Sequence, residues 1–282
     1  MKIDLGSLRV HLVSDGGFKL DGGAMFGVVP KTLWSRAKPA DAENRIQMGT
    51  NCLLIEAGAE LVLVDTGLGD KQDAKFQSIY AYEEGARRLP ESIAAAGFDL
   101  GDVTHVMLSH LHFDHCGWNT RRDAAGKVVP TFPNARYWLN RGEVEHARAP
   151  SERDRASYFP ENWEPLFDAG IVELVEEEGG PLDSIRMVKA AGHNADMCVV
   201  TLDGAAGARG IFFADLVPTT AHVPLPWIMG YDLYPLTTLA NKKLWLPRVA
   251  EENRVCFFEH DFEQPVGKVV SPKPGKFEAV PL

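Results

Sequence analysis

The chain contains no apolar run long enough to cross a bilayer as a helix, which argues against a membrane-spanning role. It is also short of positive charge. Its 29 Lys and Arg are outnumbered by 39 Asp and Glu, giving a net charge of −10. Binding to a nucleic-acid backbone depends on clustered cations, and the densest basic runs, Arg87-Arg88 and Lys242-Lys243, are too short to supply them. Cysteine is scarce: Cys52, Cys116, Cys198 and Cys256 lie far apart, with no CxxC pair to suggest a zinc ribbon or redox couple. The opening MKIDLGSLRVHLVSDGG lacks the basic start and apolar segment of a secretory leader. Four unpaired thiols then suit a reducing cytoplasm, the expected location.

What is present is an ordinary globular composition, 45% hydrophobic and 24% charged over 282 residues, enough to bury a large core. Leu8 to Val13 alternates as a strand, followed by a Gly-rich loop or hairpin from Asp15 to Gly27. Asn51–Glu56 and Leu61–Asp65, separated by Ala57-Gly58-Ala59, read as a hairpin ending in the sharp turn Asp65-Thr66-Gly67. Ala-rich helical spacing runs from Phe76 to Gly97, and THVMLS (Thr104–Ser109) reads as a buried strand. Ala135–Leu139 is another strand, Arg141–Arg148 a helix, and Ser151–Leu166 irregular. Strand patterns return at 171–175, 185–188, 198–202 and 210–213, then a helix at Leu236–Asn253 and a last strand at Val255–Phe258. This succession predicts two sheets with helices outside, an α/β sandwich, and no linker divides it.

The chemistry concentrates where the strand 104–109 ends, in His110-Leu111-His112-Phe113-Asp114-His115. On an extended segment, His110 and His112 project to one side and can reach one ion, with Asp114 continuing that side. Three imidazoles and one carboxylate within six residues are costly to bury without a cation. The mixed nitrogen and oxygen donors favour zinc, manganese or iron over calcium or magnesium.

This run resembles the H-x-H-x-D-H signature of the metallo-β-lactamase superfamily, and the rest of that pattern follows in order. Ala191-Gly192-His193-Asn194 looks like the turn bearing the third histidine, Phe213-Ala214-Asp215 like the strand end bearing a bridging aspartate, and Glu259-His260-Asp261 like the final histidine. Asp65 matches the early aspartate that supports the site from behind. The resemblance implies one domain over 1–282 with the αββα sandwich of two mixed sheets. It further implies two divalent ions, zinc first with manganese or iron as alternatives. His110, His112 and His193 would hold the first and Asp114, His115 and His260 the second, with Asp215 bridging them. A hydroxide shared by the cations would be the nucleophile, and Asp114 would orient it or move a proton, making Asp114 and Asp215 the catalytic pair.

The stretch from Asp215 to His222, running into Pro226-Trp227-Ile228-Met229-Gly230-Tyr231-Asp232, is similar to the quorum-quenching lactonases and their organophosphate-cleaving relatives. It implies a lactone or ester such as an acyl-homoserine lactone as the small-molecule substrate. Met25, Phe26, His222, Trp227 and Tyr231 are then the candidate pocket residues, the first two as a lid. Val217-Pro218 stand where those lactonases place a catalytic tyrosine, so His222 or Tyr231 is the candidate replacement. The alternatives are a promiscuous aryl-esterase or phosphotriesterase, an iron-dependent redox enzyme on the same scaffold, and a binding module that has lost the chemistry. The aromatic segment Tyr158–Trp163 leaves a homodimer open.

Overall fold

The computed structural model describes residues 1–83 and 85–282; Glu84, inside the predicted helix 76–97, lies outside the described residues. In chain order, β1 (Lys2–Leu5), β2 (Leu8–Asp21), β3 (Arg45–Ala57), β4 (Glu60–Val64) and β5 (His105–Met107) open the first sheet. A separate two-stranded hairpin follows, β6 (Thr120–Arg122) with β7 (Val128–Pro130), before β8 (Arg136–Asn140) and β9 (Val172–Val175) complete that sheet in the order β1-β2-β3-β4-β5-β8-β9. The second sheet runs in sequence order through β10 (Glu178–Leu182), β11 (Ile185–Lys189), β12 (Cys198–Asp203), β13 (Arg209–Phe212), β14 (Val255–Phe257), β15 (Val266–Lys273) and β16 (Lys276–Pro281). Both sheets are mixed: β4, β5, β8 and β9 pair in parallel in the first, and β13 with β14 in the second. This is the αββα sandwich expected from the sequence.

Side-chain alternation explains why the strands read as unbroken apolar runs. On β3, Leu53 and Ile55 enter the core shared with the second sheet, while Cys52 and Leu54 enter the core beneath the outer helices. Val62 and Val64 alternate with Leu61 and Leu63 on β4 in the same way, and Met107 with Val106 on β5. A central strand covered on both faces must be apolar at every position. The helix Leu89–Ala96 covers β2, and Pro235–Glu251 packs on β15 through Trp245, Leu246 and Val249 among its buried residues. No helix among the described residues is long and apolar enough to cross a membrane.

Four local predictions need correction. The helix expected over 76–97 is two short helices, Ala74–Ile79 and Leu89–Ala96. Pro90, lacking an N–H, sits in the first turn of the second, where no donor is needed, and so sets a start rather than an interior. The Gly-rich stretch is not a loop: β2 continues through a bulge at Ser14–Gly17 to Asp21, whose side chain caps the helix Gly22–Phe26. Gly16 takes φ +90° inside that bulge, a value that favours glycine. Beyond Phe258 the chain adds the unanticipated hairpin β15–β16, turning at Gly275 with φ +73°. Finally, the histidine run is extended only to His112, which precedes a helical turn over Phe113–Cys116.

Candidate metal centre

The parallel strands decide where the site lies, because their carboxyl ends all open on one side. Asp65 follows β4, Ser109 to His115 follow β5, Asp215 follows β13, and Glu259 and His260 follow β14. Crevices outside such strand ends are the usual ligand sites of parallel sheets. The turn after β4 packs against the histidine segment at very short range. A Cβ on Gly117 would lie 2.1 Å from the Leu68 carbonyl, so only glycine fits there. Thr66 N–H donates to His115 O at 2.7 Å, and Gly117 N–H to Gly67 O at 2.7 Å, fixing the helical turn on the sheet.

Three groups of buried donors result, the third of them, Asp65, His115 and Glu259, sharing His115 with the second. The donor atoms of His110, His112, His193 and Asp215 lie within 4.8 Å of one another, and those of Asp114, His115 and His260 form a second such group. Asp215 faces both. Its Oδ2 is 3.1 Å from His193 Nε2 and 3.6 Å from His115 Nε2, and its Oδ1 is 3.2 Å from His260 Nε2. Asp114 lies 3.8 Å from His115 Nε2 and 3.7 Å from His260 Nε2.

The opposite ring edges are held rigidly. His193 Nδ1 meets Asp232 at 3.1 Å, and Asp232 accepts from Thr238 Oγ1 at 2.7 Å. His260 Nδ1 meets the Gly49 carbonyl at 2.9 Å, and His115 Nδ1 is 3.0 Å from Asp65. Asp65, in the left-handed region at φ +54°, also accepts from Ser109 N–H and Oγ–H. Anchoring one nitrogen of each imidazole aims the other inward.

The residues fit a divalent cation. His110 Nε2 and Asp215 Oδ1 are buried without hydrogen-bond partners, a costly arrangement for a protein interior unless something else occupies their lone pairs, and His112 meets the same cluster through Nδ1, 3.0 Å from His193 Nε2. The charge balance agrees. Burial alone would lower His260, yet the Asp215 and Glu259 carboxylates hold its pKa up at about 9; His115 and His193 are likewise held up against burial, by Glu259, Asp114 and Asp215 and by Asp215 and Asp232. Burial and the surrounding imidazoles instead push His110 and His112 well below the ordinary histidine range. The cluster therefore calls for positive charge and presents neutral nitrogen donors beside it. Asp232, Glu259 and Ser109 went unassigned in the sequence. Asp232 and Glu259 stand beside residues that were singled out, Tyr231 and His260, but no spacing rule distinguishes a carboxylate behind a histidine from a surface one.

A cavity of about 340 Å³ opens above the clusters, reaching Asp114, His193, Asp215 and His260. Met25, Phe113, Met229 and Leu233 give it apolar walls, and Tyr80 and Tyr231 bring phenols to it. Of the five predicted pocket residues, Met25 and Tyr231 line this cavity. The other three stand behind its wall. Phe26 is sandwiched between Trp34 and His222, with ring centroids 5.2 and 4.6 Å away, and Trp227 meets it edge-on. His222 is 1% exposed and bonded to the Met25 carbonyl at 2.9 Å and Thr219 Oγ1 at 2.8 Å; burial lowers its pKa to about 3. It is a neutral prop for Met25, not a replacement for the missing tyrosine. Lys242 steadies the same wall by donating to the carbonyls of His222, Pro224 and Trp227 at 2.6 to 2.8 Å. His222→Ala is therefore expected to cost roughly 2–3 kcal/mol in stability, from lost packing and an unpaired carbonyl. Relative rates on different substrates should stay within about threefold, by chemical denaturation and parallel rate assays. A changed substrate ranking at unchanged stability would reverse this assignment.

Val217 packs in the inter-sheet core, and Pro218 accepts from His260 N–H at 2.9 Å, so that stretch offers the cavity no hydroxyl.

An αββα sandwich with histidine and aspartate clusters at its strand ends defines a class of metal-dependent hydrolases. Residues 45–260 match the Metallo-beta-lactamase superfamily, and the chain belongs to it. It is 23% identical over 251 residues to an N-acyl homoserine lactonase of Bacillus cereus, covering 82% of this chain and 88% of that one. It is 30% identical over 186 residues to a probable metallo-hydrolase of Mycobacterium tuberculosis, 56% of this chain and 53% of the relative. A probable metal-dependent hydrolase from Staphylococcus aureus superposes with a TM-score of 0.87 at 28% identity, over 94% of both chains. A dizinc quorum-quenching lactonase, in complex with a hexanoyl-homoserine product, shares the fold with a TM-score of 0.81 at 23% identity, over 100% of this chain and 97% of that one.

Proposed function

We propose that this hydrolase opens lactones or esters with an apolar acyl group, acyl-homoserine lactones first among them, using two divalent ions with zinc foremost. The observation that carries the reading is the placement of Asp215 between two donor clusters at the floor of an apolar cavity. His110, His112 and His193 would hold one ion, Asp114, His115 and His260 the other, and Asp215 both. When bound, such ions polarise an acyl oxygen and make water acidic enough to yield a proton near neutral pH.

The chain's own residues supply the rest. Met25, Phe113, Met229 and Leu233 take up the acyl chain and exclude water from it. Tyr80 and Tyr231 place hydroxyl donors beside the polar end of the substrate. Asp114, at the cavity floor between His115 and His260, accepts the proton of the attacking water and returns it to the leaving alkoxide. Residues 1–282 form one domain in this reading, and the four buried free cysteines accord with a cytoplasmic setting.

The test is metal content by elemental analysis of protein purified without chelator, followed by rates with acyl-homoserine lactones, aryl esters and a phosphotriester. Two ions per chain with lactone opening fastest is the expected result. Turnover of aryl esters or phosphotriesters alone would replace the substrate class, and iron without hydrolysis would replace the reaction.

A further inference from the structure

His115 carries an unusual excess of negative charge on the ring edge that faces away from the clusters. Its Nδ1 is 3.0 Å from Asp65 Oδ2 and also 2.9 Å from Glu259 Oε2, and the donor atoms of all three residues lie within 4.8 Å of one another. All three are fully buried. Asp65 is well satisfied, accepting from Ser109 N–H at 2.7 Å and Ser109 Oγ–H at 2.6 Å. Glu259 is not. Neither of its carboxylate oxygens makes a hydrogen bond of good geometry among the described residues.

The backbone that carries Glu259 is firmly held. Asn51 clamps the backbone around it: its N–H and Nδ2 donate to Glu259 O at 2.9 and 2.8 Å, and Nδ2 also reaches Phe258 O and Asp261 O. A second carboxylate beside Asp65, sharing one N–H and lacking other donors, needs positive charge close by. It becomes favourable when positive charge sits on the far side of the imidazole, a few ångströms away through a polarisable ring. That far side is where Asp114, His115 and His260 gather.

We infer that Glu259 is a positioning residue for the cation held by Asp114, His115 and His260, acting through His115 as a counter-charge that tightens this position selectively. The inference rests on the two-ion reading. It adds that the two positions are tuned separately: behind the first cluster His193 Nδ1 faces one buried carboxylate, Asp232 at 3.1 Å, whereas His115 Nδ1 faces two, Asp65 at 3.0 Å and Glu259 at 2.9 Å. Glu259 belongs to none of the ligand positions, so its effect must be read in metal affinity and not in turnover alone.

The test is graded chelator competition on full-length, zinc-loaded protein, with zinc retained per chain measured by mass spectrometry and the melting temperature of the stripped protein recorded beside it. Glu259→Gln keeps the shape and removes the charge. The more weakly held zinc should be lost at 10- to 100-fold lower chelator strength, the range typical of groups that orient a ligand, while the other shifts less than threefold. Glu259→Asp, which keeps the charge, should hold the second zinc more tightly than Glu259→Gln. Unchanged release of both ions would make Glu259 a space-filling residue. Equal weakening of both, or a variant that fails to fold, would make it a structural one. Each of these overturns the inference while leaving two zinc ions on the wild type. A wild type with fewer than two would instead overturn the two-ion reading and this inference with it.

Discussion

Asp114→Asn is expected to lower kcat by 10²- to 10⁴-fold, about 3–5 kcal/mol in the barrier, while shifting the melting temperature by only a few degrees. The size of the kinetic effect follows from what asparagine lacks. An amide of the same shape cannot accept the proton of an attacking water, and it offers the second donor cluster a neutral oxygen in place of a charged one. The small cost to the fold follows from what Asp114 does not do. Its carboxylate takes part in none of the side-chain hydrogen bonds that hold the described residues together; its near neighbours are the Nε2 atoms of His115 and His260, at 3.8 and 3.7 Å. Phe113, next to it, supplies the local packing against Phe76, Tyr80 and Phe159. Rates, circular-dichroism melts and metal content measured on one preparation separate the possibilities. Turnover at the wild-type level would remove Asp114 from the mechanism, and a collapsed melting temperature would show that its role is structural.

Much of this arrangement is legible in the chain because most of the candidate ligands sit at strand ends, where periodicity breaks and polar residues stand out against apolar runs. His110 to His115 directly follow the THVMLS strand, Asp215 follows Gly-Ile-Phe-Phe, and His260 follows Val-Cys-Phe-Phe. What was not legible depends on contacts between distant segments. His222 and Trp227 read as pocket residues from the lactonase-like stretch and Phe26 as a lid residue from the Gly-rich stretch, yet His222 stacks on Phe26 and Trp227 meets it edge-on behind the cavity wall. Tyr80, which does reach the cavity, lies in a stretch whose helical spacing conceals a break before Pro90. Asp232 and Glu259 act from behind His193 and His115, and nothing local marks a carboxylate as facing an imidazole from another strand end. The long β2 is not evident in the chain because clustered glycines commonly mark a loop or hairpin, whereas here they permit a bulge and close strand contact.

Removing the metal with a chelator is expected to lower the melting temperature by about 10 °C or more at neutral pH. Cations held at a thousandfold excess over their dissociation constants stabilise the native state by about 4 kcal/mol per site, and each kcal/mol is worth roughly 2–4 °C for a chain of this size. The pH dependence of the gap has a definite sign. In the stripped protein, His260 is held up at about 9, and His115 and His193 are raised in the same direction, all by neighbouring carboxylates. Groups whose folded pKa exceeds the unfolded value stabilise the fold fully below about 6.5, and that contribution fades as pH rises toward 9. Stripped protein should therefore weaken between about pH 6.5 and 9. The loaded protein should change little over the same range, because its ligating imidazoles are neutral like those of the unfolded chain, and a metal affinity that rises as protons leave offsets the loss seen in the stripped protein. The gap between loaded and stripped melting temperatures should consequently widen from pH 6.5 to pH 9, as measured by calorimetry in matched buffers. A gap that is absent, or that narrows over this range, would mean that the imidazoles are not balanced by a cation and that the buried carboxylates are compensated by protons alone.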